Sequence, residues 1–165
     1  GKDPSYFVGE IARGFEAHAK LGVGGAFVLE GDEYPSSNWD PSSKFLHYNA
    51  RSVLLTSATH DHLNVYPSHE SYLVPFKQLL QNLGNGLLVA NGGEQYAKAL
   101  ADTFAGTKVL YNTPGSWHAA NISYGMPTTF DLMRGERVPQ RRNGGIEPCR
   151  RQRHYKFGDA GIERG

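Results

Sequence analysis

Residues 86–104 read GLLVANGGEQYAKALADTF. Leu87, Leu88 and Val89 have the length and composition of a short buried strand. Ala90-Asn91-Gly92-Gly93 then makes a sharp turn. Beyond it Tyr96, Ala97, Leu100, Ala101 and Phe104 recur on one helical face. This strand–turn–helix corner is the repeating unit of open α/β sheets, where the loop at the carboxyl end of the strand usually carries ligands and reactive groups. At the corner itself stands an alanine, Ala90.

Working outward, Leu73, Phe76, Leu79, Leu80 and Leu83 predict a helix upstream, with Pro75 tolerable only in its first turn. Gly84-Asn85-Gly86 ends that helix. Before it, Arg51–Ser57 holds the continuous apolar run Val53-Leu54-Leu55 of a strand buried on both faces. Downstream, Gly106 stands at a helix C-cap position and Thr107–Tyr111 predicts another strand. Residues 51–112 thus read β-α-β-α-β, and right-handed crossovers make the three strands parallel. The expected class is α/β, three layers around a mainly parallel sheet, in a single domain over 1–165. Residues 113–165 form its loop-rich, basic and irregular carboxyl segment.

Further out, Ala26–Glu30 is a strand candidate, and Ile11, Phe15, His18 and Ala19 have helical spacing ahead of Gly22. Gly31–Lys44 is a polar loop too long for a plain connector, which suggests a function. Beyond Pro114 the pattern dissolves, and Arg153–Phe157 predicts a closing edge strand.

Composition narrows the classes. A content of 39% hydrophobic and 20% charged residues suits a globular domain, and 20 glycines with nine prolines predict many turns. No apolar run is long enough to span a membrane. One cysteine, Cys149, excludes an intramolecular disulfide and an all-cysteine zinc site. The net charge of +1 is unevenly spread: residues 134–156 carry eight Arg/Lys against two acids. That arm suits nucleic acid, an acidic partner, or the chain's own acidic body. The start at Gly1 suggests a fragment of something longer.

The corner, the preceding strand end Ser57-Ala58-Thr59-His60-Asp61-His62, and the order histidine strand, helix, nucleophile strand resemble the caspase-like fold of cysteine peptidases. Leu87–Gly93, Tyr96–Ala101, Val109-Leu110-Tyr111, Pro114-Gly115 and the terminal His154–Phe157 are similar to peptidase-like carboxyl-terminal domains of bacterial polymorphic (Rhs-type) toxins. The resemblance covers residues 51–115 and the tail. It implies a secreted effector, delivered to a target cell, that cuts a protein substrate or its own parent chain without a cofactor. His60 is then the general base beside Asp61, and position 90 the nucleophile's seat. Asn91, Gly92, Gly93 and Ser57 surround the substrate and its oxyanion. Because a methyl group cannot replace a thiolate, Ala90 implies an enzyme silenced by a Cys→Ala change, one silenced by natural loss, or a shared α/β scaffold without that chemistry.

His60-X-His62 with His69 is similar to the opening of the metallo-β-lactamase motif, but Asn64 and Val65 stand where that motif needs Asp and His, so no metal is expected. Cys149, flanked by Arg150 and Arg151, is an alternative nucleophile with His154 or His118. Asn91-Gly92-Gly93 at a helix start suits a phosphate, except that Glu94 already supplies a carboxylate there. The alternatives to a peptidase are another α/β hydrolase or glycohydrolase acting on a small molecule, and a non-catalytic module holding an acidic partner.

Overall fold

The computed structural model describes residues 2–11, 15–125 and 128–136. Its centre is a five-stranded sheet containing β6 (Ser52–Leu55), β7 (Leu87–Asn91), β8 (Thr107–Tyr111), β9 (Trp117–Ser123) and β10 (Thr129–Arg134), in the order β10-β9-β8-β7-β6. β6, β7 and β8 are parallel. β9 joins β8 through the pair Tyr111–Trp117, and β9 and β10 form an antiparallel hairpin. Helices α1 (His69–Leu83) and α2 (Gln95–Thr103) make the two crossovers. The chain is therefore mixed α/β with a mainly parallel sheet, as the apolar periodicity predicts.

Because both crossovers step the same way across the sheet, right-handed connections put both helices on one face. Leu55, Leu88 and Ala90 of that face are buried in one cluster with Phe76 and Leu80 of α1 and Leu100 of α2. The opposite face is bare among the described residues. Leu54, Val89 and Val109 lie side by side in register across it, and Leu54 and Val109 keep 65% and 43% of their surface exposed.

Local chemistry sets the helix ends. Ser68 caps α1 in a reciprocal box with Ser71, and Gly84, at φ 54°, stops it in a backbone region that disfavours residues with a Cβ. Pro75 lies in the second turn of α1, not the first, so Ser71 C=O receives no helical N–H at that position. Glu94 caps α2 by accepting from the N–H groups of Tyr96 and Ala97.

Smaller sheets flank this body. β1 (Ser5–Phe7) pairs antiparallel with β2 (Ala19–Lys20) and parallel with β3 (Phe27–Leu29). The described part of the stretch 11–19, where a helix is expected, shows none: Ala19 and Lys20 pair with Phe7 and Tyr6 instead, so tertiary pairing overrides the local spacing. The polar stretch 31–44 contains the hairpin β4 (Pro35–Ser37) and β5 (Asp40–Ser43), followed by a 3₁₀ turn at Lys44–His47. The region after Pro114, which gives no clear period, supplies β9 and β10. A register shift between Thr129 and Asp131 breaks the alternation that would reveal them. Cys149, His154 and the expected edge strand at 153–157 lie outside the described residues, as does most of the basic arm.

Candidate functional site

Parallel pairing brings the carboxyl ends of β6, β7 and β8 to one edge. Asparagines tie the three exits together. Asn91 Nδ2 donates to Thr56 C=O at 3.2 Å, and Asn112 Nδ2 donates to Asn91 Oδ1 at 3.2 Å. Gly92 is where two of these exits approach most closely: a Cβ there would lie 2.3 Å from Thr113 Cγ2.

The loop leaving β6 carries His60, Asp61 and His62 toward the stretch after β3. His62 Nε2 lies 2.9 Å from Glu33 Oε1, and its Nδ1 lies 3.8 Å from Asp61 Oδ1. The Tyr72 hydroxyl donates to the same Glu33 oxygen at 3.1 Å. Tyr66 OH donates to Glu33 C=O and pairs with Ser43 Oγ at 2.9 Å. The Tyr34 ring packs on the His62 ring, with centroids 4.2 Å apart. His62 itself has φ 57°, a left-handed backbone that costs a side-chain-bearing residue energy and often marks a functional position. Burial, reinforced by the Glu33 carboxylate, raises the Tyr72 pKa well above that of an ordinary phenol, so the hydroxyl stays a proton donor.

The other two imidazoles serve the backbone. His60 Nε2 faces Tyr66 C=O at 2.9 Å and His69 Nε2 faces Ala58 C=O at 3.4 Å, so each of these ring nitrogens is the donor. The rings of His60, His69, Tyr72 and Tyr96 pack as a chain beneath the loop. Among the described residues no three His, Cys, Asp or Glu side chains are grouped as a metal cage. Glu33 and His62 offer one oxygen and one nitrogen donor.

The residues picked from sequence that the structure describes have definite places. Ala90 is fully buried, at 0% exposure, in register between Leu55 and Leu110. Its methyl faces the core and not the rim. Gly92 N–H donates to Tyr111 C=O at 2.8 Å and Gly93 N–H to Asn91 Oδ1 at 3.1 Å, so both amides are already bonded within the fold. Ser57 Oγ accepts from Thr59 N–H, and Asp61 Oδ1 accepts from His62 N–H. His118 Nδ1 faces Ser116 C=O at 3.1 Å. Sequence reasoning passed over Glu33, Tyr34, Tyr66 and Tyr72. Its one available signal was the acidic run Glu30-Gly31-Asp32-Glu33 directly after a strand.

A groove of about 560 Å³ at the β8 exit is lined by Asn112, Thr113, Pro114, Gly115 and His118 together with residues 135 and 136. A smaller cavity of about 230 Å³, between Phe45, Asn49, Leu79 and Asn82, lies toward the opposite end of the strands.

No protein-family model matches the chain. Curated relatives do. A UDP-N-acetylmuramate--L-alanyl-gamma-D-glutamyl-meso-2,6-diaminoheptandioate ligase of Haemophilus influenzae is 30% identical over 142 residues, covering 85% of this chain. A UDP-N-acetylmuramate--L-alanine ligase of Renibacterium salmoninarum is 35% identical over 125 residues, covering 74% of this chain. Among solved structures, the crystal structure of the UDP-N-acetylmuramate:L-alanyl-gamma-D-glutamyl-meso-diaminopimelate ligase from Neisseria meningitides is similar with a TM-score of 0.69 and 25% identity, over 81% of this chain.

These likenesses overturn the peptidase reading. The chain is similar to ligases across most of its length, and not to caspase-like peptidases or toxin domains, so the hydrolase and glycohydrolase alternative is also unsupported. The His60–position 90 dyad and the silencing of a nucleophile fall with it, and buried Ala90 supplies the physical reason. A secreted effector rested on the toxin likeness alone and goes too. The chain spans 31% and 25% of the two curated relatives' lengths and 44% of the solved chain.

Proposed function

We propose that this chain is part of a ligase that joins UDP-N-acetylmuramate to the amine of a peptide, with L-alanyl-gamma-D-glutamyl-meso-2,6-diaminoheptandioate as the favoured acceptor. One observation carries the reading: the similarity to the Haemophilus ligase covers 85% of the chain. A match that long within 165 residues runs through Glu33, His62 and Glu94. The Renibacterium relative, which is more identical over a shorter stretch, favours L-alanine as the acceptor in a second reading.

Amide formation from a carboxylate in water needs an activating co-substrate, and UDP-N-acetylmuramate brings its own diphosphate. The Glu33 carboxylate and His62 imidazole are an oxygen and a nitrogen donor at the strand exits. That set suits a divalent cation shared with phosphate oxygens better than one caged by protein. When bound, such a cation would neutralise phosphate charge. Tyr72 and Tyr66 hold Glu33 in place by its side chain and by its backbone.

We also infer that the sheet is the middle of three layers in the whole protein. The bare row Leu54, Val89 and Val109 supports this, because parallel sheets are ordinarily covered on both faces.

The test is a ligation assay of the longer protein with UDP-N-acetylmuramate, a nucleoside triphosphate and either the tripeptide or L-alanine. Tripeptide ligation that falls by roughly 100-fold or more in Glu33→Gln supports the reading. Ligation of L-alanine alone moves it to the second acceptor. Ligation of neither acceptor sinks it.

A further inference from the structure

We propose that Glu94 is a positioning residue that sets His62, acting through the loop that joins β6 to α1. This rests on the reading of Glu33 and His62 as the ligase site. Glu94 sits four residues past Ala90, on the turn after β7, and does not touch His62.

Its carboxylate serves two elements at once. Oε1 accepts from Tyr96 N–H at 2.9 Å, and Oε2 from Ala97 N–H at 2.8 Å, which closes the start of α2. The same two oxygens reach across to the loop. Oε2 accepts from Ala58 N–H at 3.0 Å, and Oε1 lies 3.4 Å from Thr59 Oγ1. A helix cap needs only the first two bonds. The second two fix a backbone that belongs to a different strand.

Ala58 is held from both sides, its N–H by Glu94 and its C=O by His69, and it is fully buried. Two residues upstream, Asn91 holds Thr56 C=O. The loop is therefore pinned on its upstream side at 56, 58 and 59, and on its downstream side His60 Nε2 faces Tyr66 C=O while His62 C=O accepts from the N–H groups of Val65 and Tyr66. At His62 it must enter the left-handed region at φ 57° and deliver Nε2 to 2.9 Å from Glu33. His62 is thus held between two anchors, and the Glu94 carboxylate is the upstream one. Loss of the Glu94 bonds releases Ala58 and Thr59, and His62 moves off Glu33.

The experiment compares Glu94→Gln, Glu33→Gln and His62→Gln with the wild type in the longer protein. The readout independent of activity is the ¹H–¹⁵N spectrum of the histidine rings. The expected result is that His62 ring signals in Glu94→Gln shift toward their positions in Glu33→Gln, because both variants separate the pair. In the ligation assay, Glu94→Gln lowers kcat in the wild-type background and has no further effect in His62→Gln, since coupled residues are non-additive. Glu94→Asp serves where Glu94→Gln does not fold. Aspartate caps a helix well but is one methylene shorter, so α2 stays capped while the reach to Ala58 is lost. Unmoved His62 signals in a folded variant with a lowered melting temperature overturn the proposal and leave Glu94 a cap. A wild type without ligase activity counts against the ligase reading alone, because the ring spectra still decide the position of His62.

Discussion

Tyr72 shows how one hydroxyl ties a core helix to a site. It is buried among Phe76 and Tyr66, and its proton goes to Glu33. Tyr72→Phe removes that donor while keeping the ring. Hydrogen bonds to charged groups contribute about 1.5–3 kcal/mol, so unfolding in urea should show a loss of that order. At position 90 the expectation is different. Ala90→Cys places a thiol where no solvent reaches. It should resist a thiol reagent in the native protein and react on denaturation, which mass spectrometry reads directly. Labelling of the native protein would mean that the β7 corner opens to solvent after all. Leu88, also fully buried, should cost about 2–5 kcal/mol on replacement by alanine, measured by chemical denaturation.

At the scale of elements, α2 and the loop after β6 meet at a single carboxylate, and this gives a pH dependence with a definite sign. Burial alone would raise the pKa of Glu94, but the N–H groups of Tyr96, Ala97 and Ala58 outweigh it and hold the pKa below the ordinary 4.5. A lowered folded-state pKa means that stability is fully present above the unfolded value and is lost as pH falls through it toward the folded one. The melting-temperature gap between wild type and Glu94→Gln should therefore be wide at about pH 7 and close as the pH falls below 4.5. The core elements were legible because their signals are local. Leu87–Val89 with Gly92, and Thr107–Tyr111, declare strands from a few residues each. Of the first forty residues only β3 was legible, inside the expected strand Ala26–Glu30, since β1 and β2 are two or three residues long and show no local period. The site was half legible for a related reason. His60 and His62 stand at a recognisable strand end, whereas Glu33 reaches them from a stretch whose hairpin is set by distant contacts. Nothing local distinguishes His62, which meets a carboxylate, from His60, which meets a carbonyl.

For the molecule as a whole, the described residues cover one face of the sheet and leave the other bare. Leu54 and Val109 leave a row of aliphatic side chains in water on a parallel sheet, and the strand β3 shows Phe27 and Val28 as well. Contiguous apolar surface of this kind is a site of association. The 165-residue span alone should self-associate, as size-exclusion chromatography with light scattering would show. Leu54→Lys with Val109→Lys should restore the monomer. In the longer protein the same pair should lower the melting temperature, because the charges would then be forced beneath the covering layer. A monomeric span with unmodified residues would argue against that missing layer.

The asparagine that laces the strand exits also has a chemical lifetime. Asn91-Gly92 is the dipeptide most prone to cyclise to a succinimide and age to aspartate or isoaspartate. Here the attacking Gly92 nitrogen is committed to Tyr111 and the Asn91 amide to Thr56, so the ring cannot easily close while the fold is intact. Once it does, a carboxylate faces a carbonyl where an amide used to donate, and the lacing comes undone. Isoaspartate at 91 is therefore a record of time spent unfolded, and peptide mapping of stored against heat-cycled protein would read it.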